Sequence, residues 1–249
     1  MKITIITATY NSASTIRDTL ESVRSQTYPH IEHIIIDGMS SDSTLSIVRQ
    51  YAHVSRCISE PDKGIYDAMN KGIDLATGDI IGILNSDDIY QDSTVLARVM
   101  ETFMNDHCDA VYGDLVYVDA QDTGKVLRYW KSGEYRPGNF KWGWMPPHPA
   151  FFVRRSLYER FGTFNTAFRT AADYELMLRF IHRHGARLGY VPRVLVKMRE
   201  GGASNQSMTS RLKANKEDRK AWAINNLVPY WFTLYLKPLR KIGQYFLRE

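Results

Sequence analysis

Ile80-Ile81-Gly82-Ile83-Leu84-Asn85-Ser86-Asp87-Asp88 is the stretch on which the fold of this chain turns. Five residues without a polar side chain run straight into Asn, Ser and two acids. A short apolar run bounded by turn formers reads as a strand buried on both faces, ending where the chain meets solvent. The same figure stands twice upstream: residues 3–9 are strand-like, and residues 31–37 form an apolar run that ends on Asp37 before Gly38.

Between these runs lie amphipathic stretches. Ile16, Leu20 and Val23 recur at helical spacing within residues 14–26, and Pro29 closes that unit. Ser41, three residues before Thr44, is expected to cap a short helix. Residues 54–59 form a third strand. Ile65, Met69 and Ile73 mark a helix ending near Ala76, and Val95, Val99 and Phe103 share one face of a helix over residues 93–105. Strands alternating with helices imply parallel pairing with right-handed crossovers. In such sheets ligands gather beyond the carboxyl ends of the strands.

After about residue 110 the rhythm changes to hairpin-like segments, 110–119 and 125–130, then a loop rich in Trp, Gly and Pro over 133–149. A short strand (150–153), helices (155–161 and 173–184) and a last strand (195–199) follow. Residues 207–249 read as helical, broken at Pro229 and Pro238. The expected organisation is a β-α half over 1–109, an α+β half of the same domain over 110–206, and a basic, aromatic tail over 207–249.

With 249 residues, 44% of them apolar, the chain can bury a substantial core, which excludes a disordered or fibrous protein. Cys57 and Cys108 are its two cysteines; neither has a second Cys or His at metal-ligand spacing, so both are expected as buried, reduced thiols. Met1 and Lys2 lead directly into a strand, and no apolar stretch reaches membrane-spanning length, so a cytoplasmic protein is expected. The net charge is +5, yet nine Lys or Arg face three Asp or Glu from Arg211 to Glu249. The positive charge therefore belongs to the tail, which argues against a nucleic-acid-binding core and for a cationic element facing an anionic surface.

Asp37 and the Asp87-Asp88 pair each follow an apolar strand, so the sheet should present them at one rim. A hard divalent cation takes oxygen ligands, with one or two protein carboxylates and the rest from phosphate and water. Such a cation can stabilise the charge on a departing diphosphate. Turn chemistry alone also accounts for Asp87-Asp88, and for Asp37 ahead of Gly38.

Four motifs occur together: Thr7-Ala8-Thr9-Tyr10-Asn11; Ile36-Asp37-Gly38 with Ser41, Asp42 and Thr44; Glu60-Pro61-Asp62-Lys63-Gly64-Ile65-Tyr66-Asp67 running to Lys71-Gly72; and Leu84-Asn85-Ser86-Asp87-Asp88. In order and spacing they resemble family 2 glycosyltransferases, the inverting enzymes of the GT-A fold, especially the short bacterial members that build exopolysaccharide or lipopolysaccharide. The resemblance covers about residues 2–205. It implies that Thr7, Ala8 and Tyr10 line a nucleotide pocket and that Asp37 accepts hydrogen bonds from the base or ribose. It places Asp67 and Lys71 near the donor, Asp87 on ribose or sugar, and Asp88 on a Mn or Mg ion. Ser86 stands where the family's first acidic residue would be.

The same resemblance makes Asp173 the base that takes the acceptor's proton, with Ala172 in place of the usual Glu; by residue type alone Asp173 is a helix-start carboxylate favoured by the dipole. Glu175, two residues along, faces elsewhere. His148 matches the family's loop before the acceptor-side helix, where an imidazole would touch the metal or an acceptor hydroxyl, or make an ordinary loop hydrogen bond. Trp142 and Trp144 offer stacking surfaces for an acceptor, or packing anchors. Arg199 opens a Gly-containing segment, through Ser204, that resembles a lid over the donor diphosphate, or simply joins a strand to a helix.

The implied partners are a nucleotide-sugar donor, with uridine as the preferred base, and a glycan or polyprenyl-diphosphate-linked acceptor. The implied reaction is transfer of one hexosyl or N-acetylhexosaminyl group per encounter, because the Gln-x-x-Arg-Trp motif and membrane spans of processive synthases are missing from this sequence. The aromatic, cationic residues 230–241 suit an interfacial helix on anionic lipid, which would make the protein peripheral on the inner face of the membrane; packing on the core or on a second subunit of a homo-oligomer is the alternative. A dinucleotide-binding dehydrogenase is set aside, because Thr7-Ala8-Thr9-Tyr10-Asn11 replaces the required G-x-G-x-x-G. A pyrophosphorylase would need a basic, glycine-rich loop near residue 10. A donor-binding assembly protein without turnover remains as a second class.

Overall fold

The computed structural model describes residues 1–201, 208–240 and 244, with side chains described outside 208–214. Nine strands form one sheet: β1 (Ile3–Thr9), β2 (Ile31–Asp37), β3 (Val54–Ser59), β4 (Ile80–Ile83), β5 (Ile89–Tyr90), β6 (Ala110–Val118), β7 (Val126–Trp130), β8 (Phe151–Arg154) and β9 (Leu188–Arg199). Their spatial order is β3-β2-β1-β4-β8-β6-β9-β5, with β7 on β6. The first four are mutually parallel, with Thr9 opposite Asp37 and Ile6 opposite Ile83. β8 runs against both β4 and β6, and β9 lies parallel to β6.

The apolar runs are strands because both sheet faces are covered. Ile6, Ile34, Ile36, Ile81 and Ile83 are buried under α3 (Ile65–Leu75), through Met69 and Ile73, and under α6 (Ala172–Met177). On the other face Ile3, Ile5 and Ile80 meet Val95, Val99 and Phe103 of α4 (Val95–Asn105). Ile16 and Leu20 of α1 (Ile16–Arg24) close over Ile35 beside Val48 of α2 (Thr44–Val48). Each such aliphatic side chain contributes about 1.5–3 kcal/mol on burial, which outweighs the weak intrinsic preferences of these short segments.

Several boundaries differ from the sequence reading for physical reasons. Ser41 does not cap α2; its backbone N–H donates to Asn11 Oδ1, while Asp42 Oδ1 accepts from the Thr44 N–H at 2.9 Å. β9 begins at Leu188 rather than 195, because its first four residues pair with Ala110 through Gly113 of β6. The helix expected over 155–161 forms as α5 (Arg155–Phe161), whereas that expected over 173–184 changes after Met177 into wide π turns, Leu178–Arg183. β5 is two residues long and takes its partner, β9, from far along the chain, so no local pattern announced it. Cys57 is exposed, since β3 is the sheet's outer edge, whereas Cys108 is buried as expected.

The tail is docked on the second half of the sheet. In α7 (Met208–Ile224) Ala221 and Trp222 are buried, and Trp222 Nε1 donates to the Tyr174 hydroxyl at 2.9 Å. α8 (Thr233–Leu239) buries Leu234, donates from Thr233 Oγ1 to the Lys141 carbonyl at 2.6 Å, and sets Lys237 Nζ 2.7 Å from Asp218. Gly143, at φ 73°, lets α8 approach: a Cβ there would stand 2.5 Å from the Lys237 amide nitrogen. No helix among the described residues is long and apolar enough to cross a membrane.

Candidate active site

The carboxyl edge of β2, β1 and β4 carries three loops that the chain ties together with short polar side chains. Asn11, in the left-handed region at φ 47°, accepts from the Ser41 N–H at 2.9 Å and donates its own N–H to Ser40 Oγ at 2.8 Å. The Ser12 N–H donates to Thr44 Oγ1 and the Ala13 N–H to Asp42. Ser12 and Ser86 share a hydroxyl hydrogen bond of 2.8 Å, joining the loop after β1 to the Asp87-Asp88 turn. Ser86, standing where an acid was expected, is thus a fastening point between two loops.

Asp37 ends β2 fully buried, accepting from the Ser40 N–H at 3.0 Å and from Ser59 Oγ at 2.6 Å. Beside it Gly38 leaves a small cradle: a Cβ at that position would lie 2.4 Å from Asp62 Oδ2 and 3.5 Å from the Tyr10 ring. Tyr10 is exposed, so its ring forms an open wall. Thr7 lies deeper. Its hydroxyl is hydrogen-bonded to His33 Nε2 at 3.1 Å within the core, so the Thr7 side chain is engaged there. Ala8 is buried against α3.

Asp67 and Lys71 brace the loop that carries Asp62. Asp67 accepts from the Lys63 N–H at 3.0 Å, and Lys71 Nζ donates to the Pro61 carbonyl at 2.7 Å and pairs with Glu60 at 2.8 Å. Sequence reasoning assigned no role to Asp62, although it sits inside a motif that drew notice.

The two acids of the turn divide. Asp87 is half-buried at the opening, whereas Asp88 is enclosed, with Oδ2 accepting from Asn85 Nδ2 at 3.2 Å and Oδ1 buried without a partner. Burial, reinforced by the Asp87 charge, pushes the Asp88 carboxyl well above its usual range. Burial also raises Asp87, opposed by the positive charge of Arg199 and by His148. An enclosed carboxylate oxygen lacking a partner costs free energy unless a proton or a cation supplies one. That orphaned oxygen, next to a second carboxylate, suits a hard divalent cation that draws its other ligands from phosphate. Among the described residues no group of three or more His, Cys, Asp or Glu is gathered closely enough to hold a metal alone.

Arg199 is nearly buried, ion-paired to Asp18 and 3.5 Å from the Asp87 carbonyl, so its guanidinium braces the acidic turn from behind. The proposed lid, residues 199–204, is described through Gly201; residues 202–204 lie outside the described residues.

From the other half, β8 and the 3-10 turn before it bring His148 to the same edge, and α6 brings Asp173. His148 Nδ1 lies 3.3 Å from Asp173 Oδ2, and Tyr66 donates its hydroxyl to Asp173 Oδ1 at 3.4 Å. Burial first, and the Asp173 charge second, push the Tyr66 phenol up, so it stays a donor. Tyr66 was not singled out from sequence: an aromatic residue on a helix facing a core carries no mark of a polar duty. Glu175 is buried on another face, paired with Arg179 at 2.9 Å.

Trp144 must be withdrawn from the acceptor side. It is 4% exposed, packed against Tyr112, Tyr135 and Phe140, with Nε1 donating to the Ser132 carbonyl at 2.8 Å. Trp142 is exposed, but its ring contacts are Tyr230 and Phe232 of the tail.

A parallel β-α half with acids at its carboxyl edge, joined through an antiparallel strand to a second half that sends a carboxylate to the same edge, is the architecture of GT-A glycosyltransferases. The chain belongs to glycosyl transferase family 2, whose model matches residues 4–163. It is 32% identical over 219 residues to a PGL/p-HBAD biosynthesis glycosyltransferase of Mycobacterium tuberculosis, covering 81% of this chain and 78% of that one. It is 34% identical over 110 residues, 43% of each chain, to a putative teichuronic acid biosynthesis glycosyltransferase, TuaG, of Bacillus subtilis. Among solved structures it superposes on S. aureus TarS in complex with UDP-GlcNAc with a TM-score of 0.72 at 18% identity, covering 95% of this chain and 69% of that one. It also superposes on the mannosyltransferase PcManGT of Pyrobaculum calidifontis, in complex with GDP-Man and Mn2+, with a TM-score of 0.67 at 22% identity, covering 95% and 68%.

Proposed function

We propose that this protein is an inverting, non-processive glycosyltransferase that moves one hexosyl or N-acetylhexosaminyl group from a nucleoside-diphosphate sugar, with UDP as the nucleotide, to a glycan or polyprenyl-diphosphate-linked acceptor of cell-surface polysaccharide or glycolipid synthesis. The observation that carries it is the contact of His148 with Asp173, in a site where His148 also acts electrostatically on Asp87. Carboxylates from both halves of the chain thereby lie near one imidazole.

Asp37, Asp62 and the Tyr10 ring would hold base and ribose in the Gly38 cradle. Asp87 would meet the ribose or sugar, and Asp88 would hold a Mn or Mg ion, with His148 at its margin. When bound, such an ion supplies Lewis-acid stabilisation of the departing diphosphate. Asp173 would accept the proton of the acceptor hydroxyl as that oxygen attacks the anomeric carbon and the bond to the diphosphate oxygen breaks. Tyr66 and His148 hold the carboxylate from two sides, so its lone pairs keep one direction during the attack.

The relatives named for glycolipid and teichuronic acid biosynthesis support the polysaccharide or glycolipid setting, and the neighbours bound to UDP-GlcNAc and GDP-Man support a nucleotide-sugar donor. The test is a screen of nucleotide sugars for cation-dependent release of nucleoside diphosphate. Release by the wild type, lost in Asp173→Asn, supports the enzyme. Donor binding without release under any cation would show a donor-binding assembly protein instead.

A further inference from the structure

The tail does not present its apolar residues at random. α8 turns Thr233, Leu234 and Lys237 inward, whereas Tyr235 and Leu239 lie on its outer side and Trp231 stands exposed in the turn before it. Trp231 is 85% exposed, Tyr235 58% and Leu239 56%. Val228, 80% exposed, precedes them in the connection from α7. From the other half Trp142 joins the ridge, its ring 6.1 Å from Tyr230 and 5.2 Å from Phe232. Trp142, Tyr230, Trp231 and Phe232 thus form a cluster of touching rings, with Tyr235 and Leu239 exposed along the adjoining helix, which the Thr233 bond to Lys141 and the Lys237–Asp218 pair fasten to the body. A surface of this kind is larger than scattered exposed side chains and marks an interaction site.

We propose that this ridge seats the protein on an anionic lipid surface, with Trp142, Trp231, Tyr235 and Leu239 entering the headgroup boundary. Charge selects the occupant. Between Asp218 and Glu249 the sequence has no Asp or Glu but six Lys or Arg, of which Lys237 is turned inward onto Asp218. Arg240 is exposed at the end of the ridge, and Lys141 Nζ stands 5.1 Å from the Tyr230 ring centroid. Indole and phenol rings, with an apolar body and a polar edge, favour the membrane–water boundary, and neighbouring cations add attraction to acidic headgroups. A second copy of the chain suits the ridge less well, because a two-fold contact would bring Arg240 and Lys141 close to the same cations of the other copy. Trp142 opens the loop that runs to His148, so a seated ridge would bring the acceptor side of the site near the bilayer. The exposed rings and the cations beside them are present whether or not the proposed transfer takes place.

The test uses the full chain with vesicles of phosphatidylcholine alone and of phosphatidylcholine mixed with phosphatidylglycerol. Sedimentation with the mixed vesicles, weakened by salt and accompanied by a blue shift of tryptophan emission, is expected. The triple variant Trp231→Ser, Tyr235→Ser, Leu239→Ser should lower the partition coefficient by about ten-fold or more with an unchanged Tm, since all three side chains are exposed. Arg240→Glu tests the electrostatic part separately, and should weaken binding to the mixed vesicles if the triple variant fails to fold. Absence of wild-type binding to the mixed vesicles, or undiminished binding by these variants, overturns the proposal. So does a change from dimer to monomer in the triple variant with vesicle binding intact.

Discussion

His148 Nδ1 lies 3.3 Å from Asp173 Oδ2, although the two residues come from different elements, the turn before β8 and the start of α6. Tyr66 of α3 meets the other carboxylate oxygen. Three separate segments thus converge on one carboxylate, which a helix-start residue serving only as a cap would not need. The backbone supplies the direction: β8 runs antiparallel between β4 and β6, so the turn before it opens at the edge where β4 ends.

Asp173→Asn keeps the shape of the side chain and removes its basicity. The variant should lose about 10²–10⁴ in kcat with little change in donor KM, the loss expected for one positioned base. Tyr66→Phe should cost far less, about a few-fold in kcat, because it removes a single long hydrogen bond and leaves the base in place. Steady-state kinetics on both variants separates proton transfer from positioning. Equal losses would make the carboxylate structural.

Asp88→Asn tests the enclosed carboxyl. Its folded-state pKa is raised above the usual value, so the group binds its proton more tightly when folded, and stability falls as pH rises above about 4 toward the folded value. The neutral amide should therefore raise Tm at neutral pH without added cation, by roughly 2–4 °C if about 1 kcal/mol is recovered. Mn²⁺ is expected to raise the Tm of the wild type, and the variant should lose that shift. Thermal melts of the two proteins with and without Mn²⁺ decide both points.

The β-α half was legible because its information is local: each apolar run and each acid at its end sit within a few residues of one another. Asp37, Asp87 and Asp88 stand out that way. What escaped depends on pairing between distant segments. β5 exists because β9 lies beside it, and Trp144 is buried because Ser132, Tyr112 and Tyr135 surround it. Thr7 shows the limit of a motif: it marks the right strand, yet the side chain points at His33 and away from the opening. The tail divided likewise, one side of α8 in the core and the other free, a distinction composition does not carry.

Two buried groups each cost stability in acid, in different pH windows. Glu32 accepts from Thr4, from the Thr77 N–H and hydroxyl, and from Lys2, and this set outweighs burial and holds its carboxyl at about 2. Its contribution, about 2–3 kcal/mol, is present above pH 4.5 and is lost as pH falls toward 2, a loss Glu32→Gln should not show. Burial, with a smaller effect of His53, pushes the His33 imidazole down to about 3. Below its unfolded value near 6.5 the unfolded chain binds a proton that folded His33 refuses, so stability should decline from pH 6.5 downward. Urea denaturation between pH 7 and pH 4 should give a shallower slope for His33→Gln than for the wild type.

Gly38→Ala probes the cradle beside Asp37 without touching the reacting groups. The added methyl would stand 2.4 Å from Asp62 Oδ2, the mobile end of a side chain, so the fold accommodates it by turning Asp62 aside. It would meet the Tyr10 ring only at ordinary contact distance, 3.5 Å. If base and ribose lie in this cradle, the methyl fills their space and moves one of their acceptors. Donor KM should then rise about ten-fold or more, kcat at saturating donor should hold, and Tm should shift by less than about 2 °C. Uniform binding lost in this way is distinguishable from lost chemistry, because Asp173→Asn predicts the reverse split. Unchanged donor KM in a folded Gly38→Ala protein would place the nucleotide elsewhere on the rim, and Asp37 would then serve only to hold Ser40 and Ser59 in their loops.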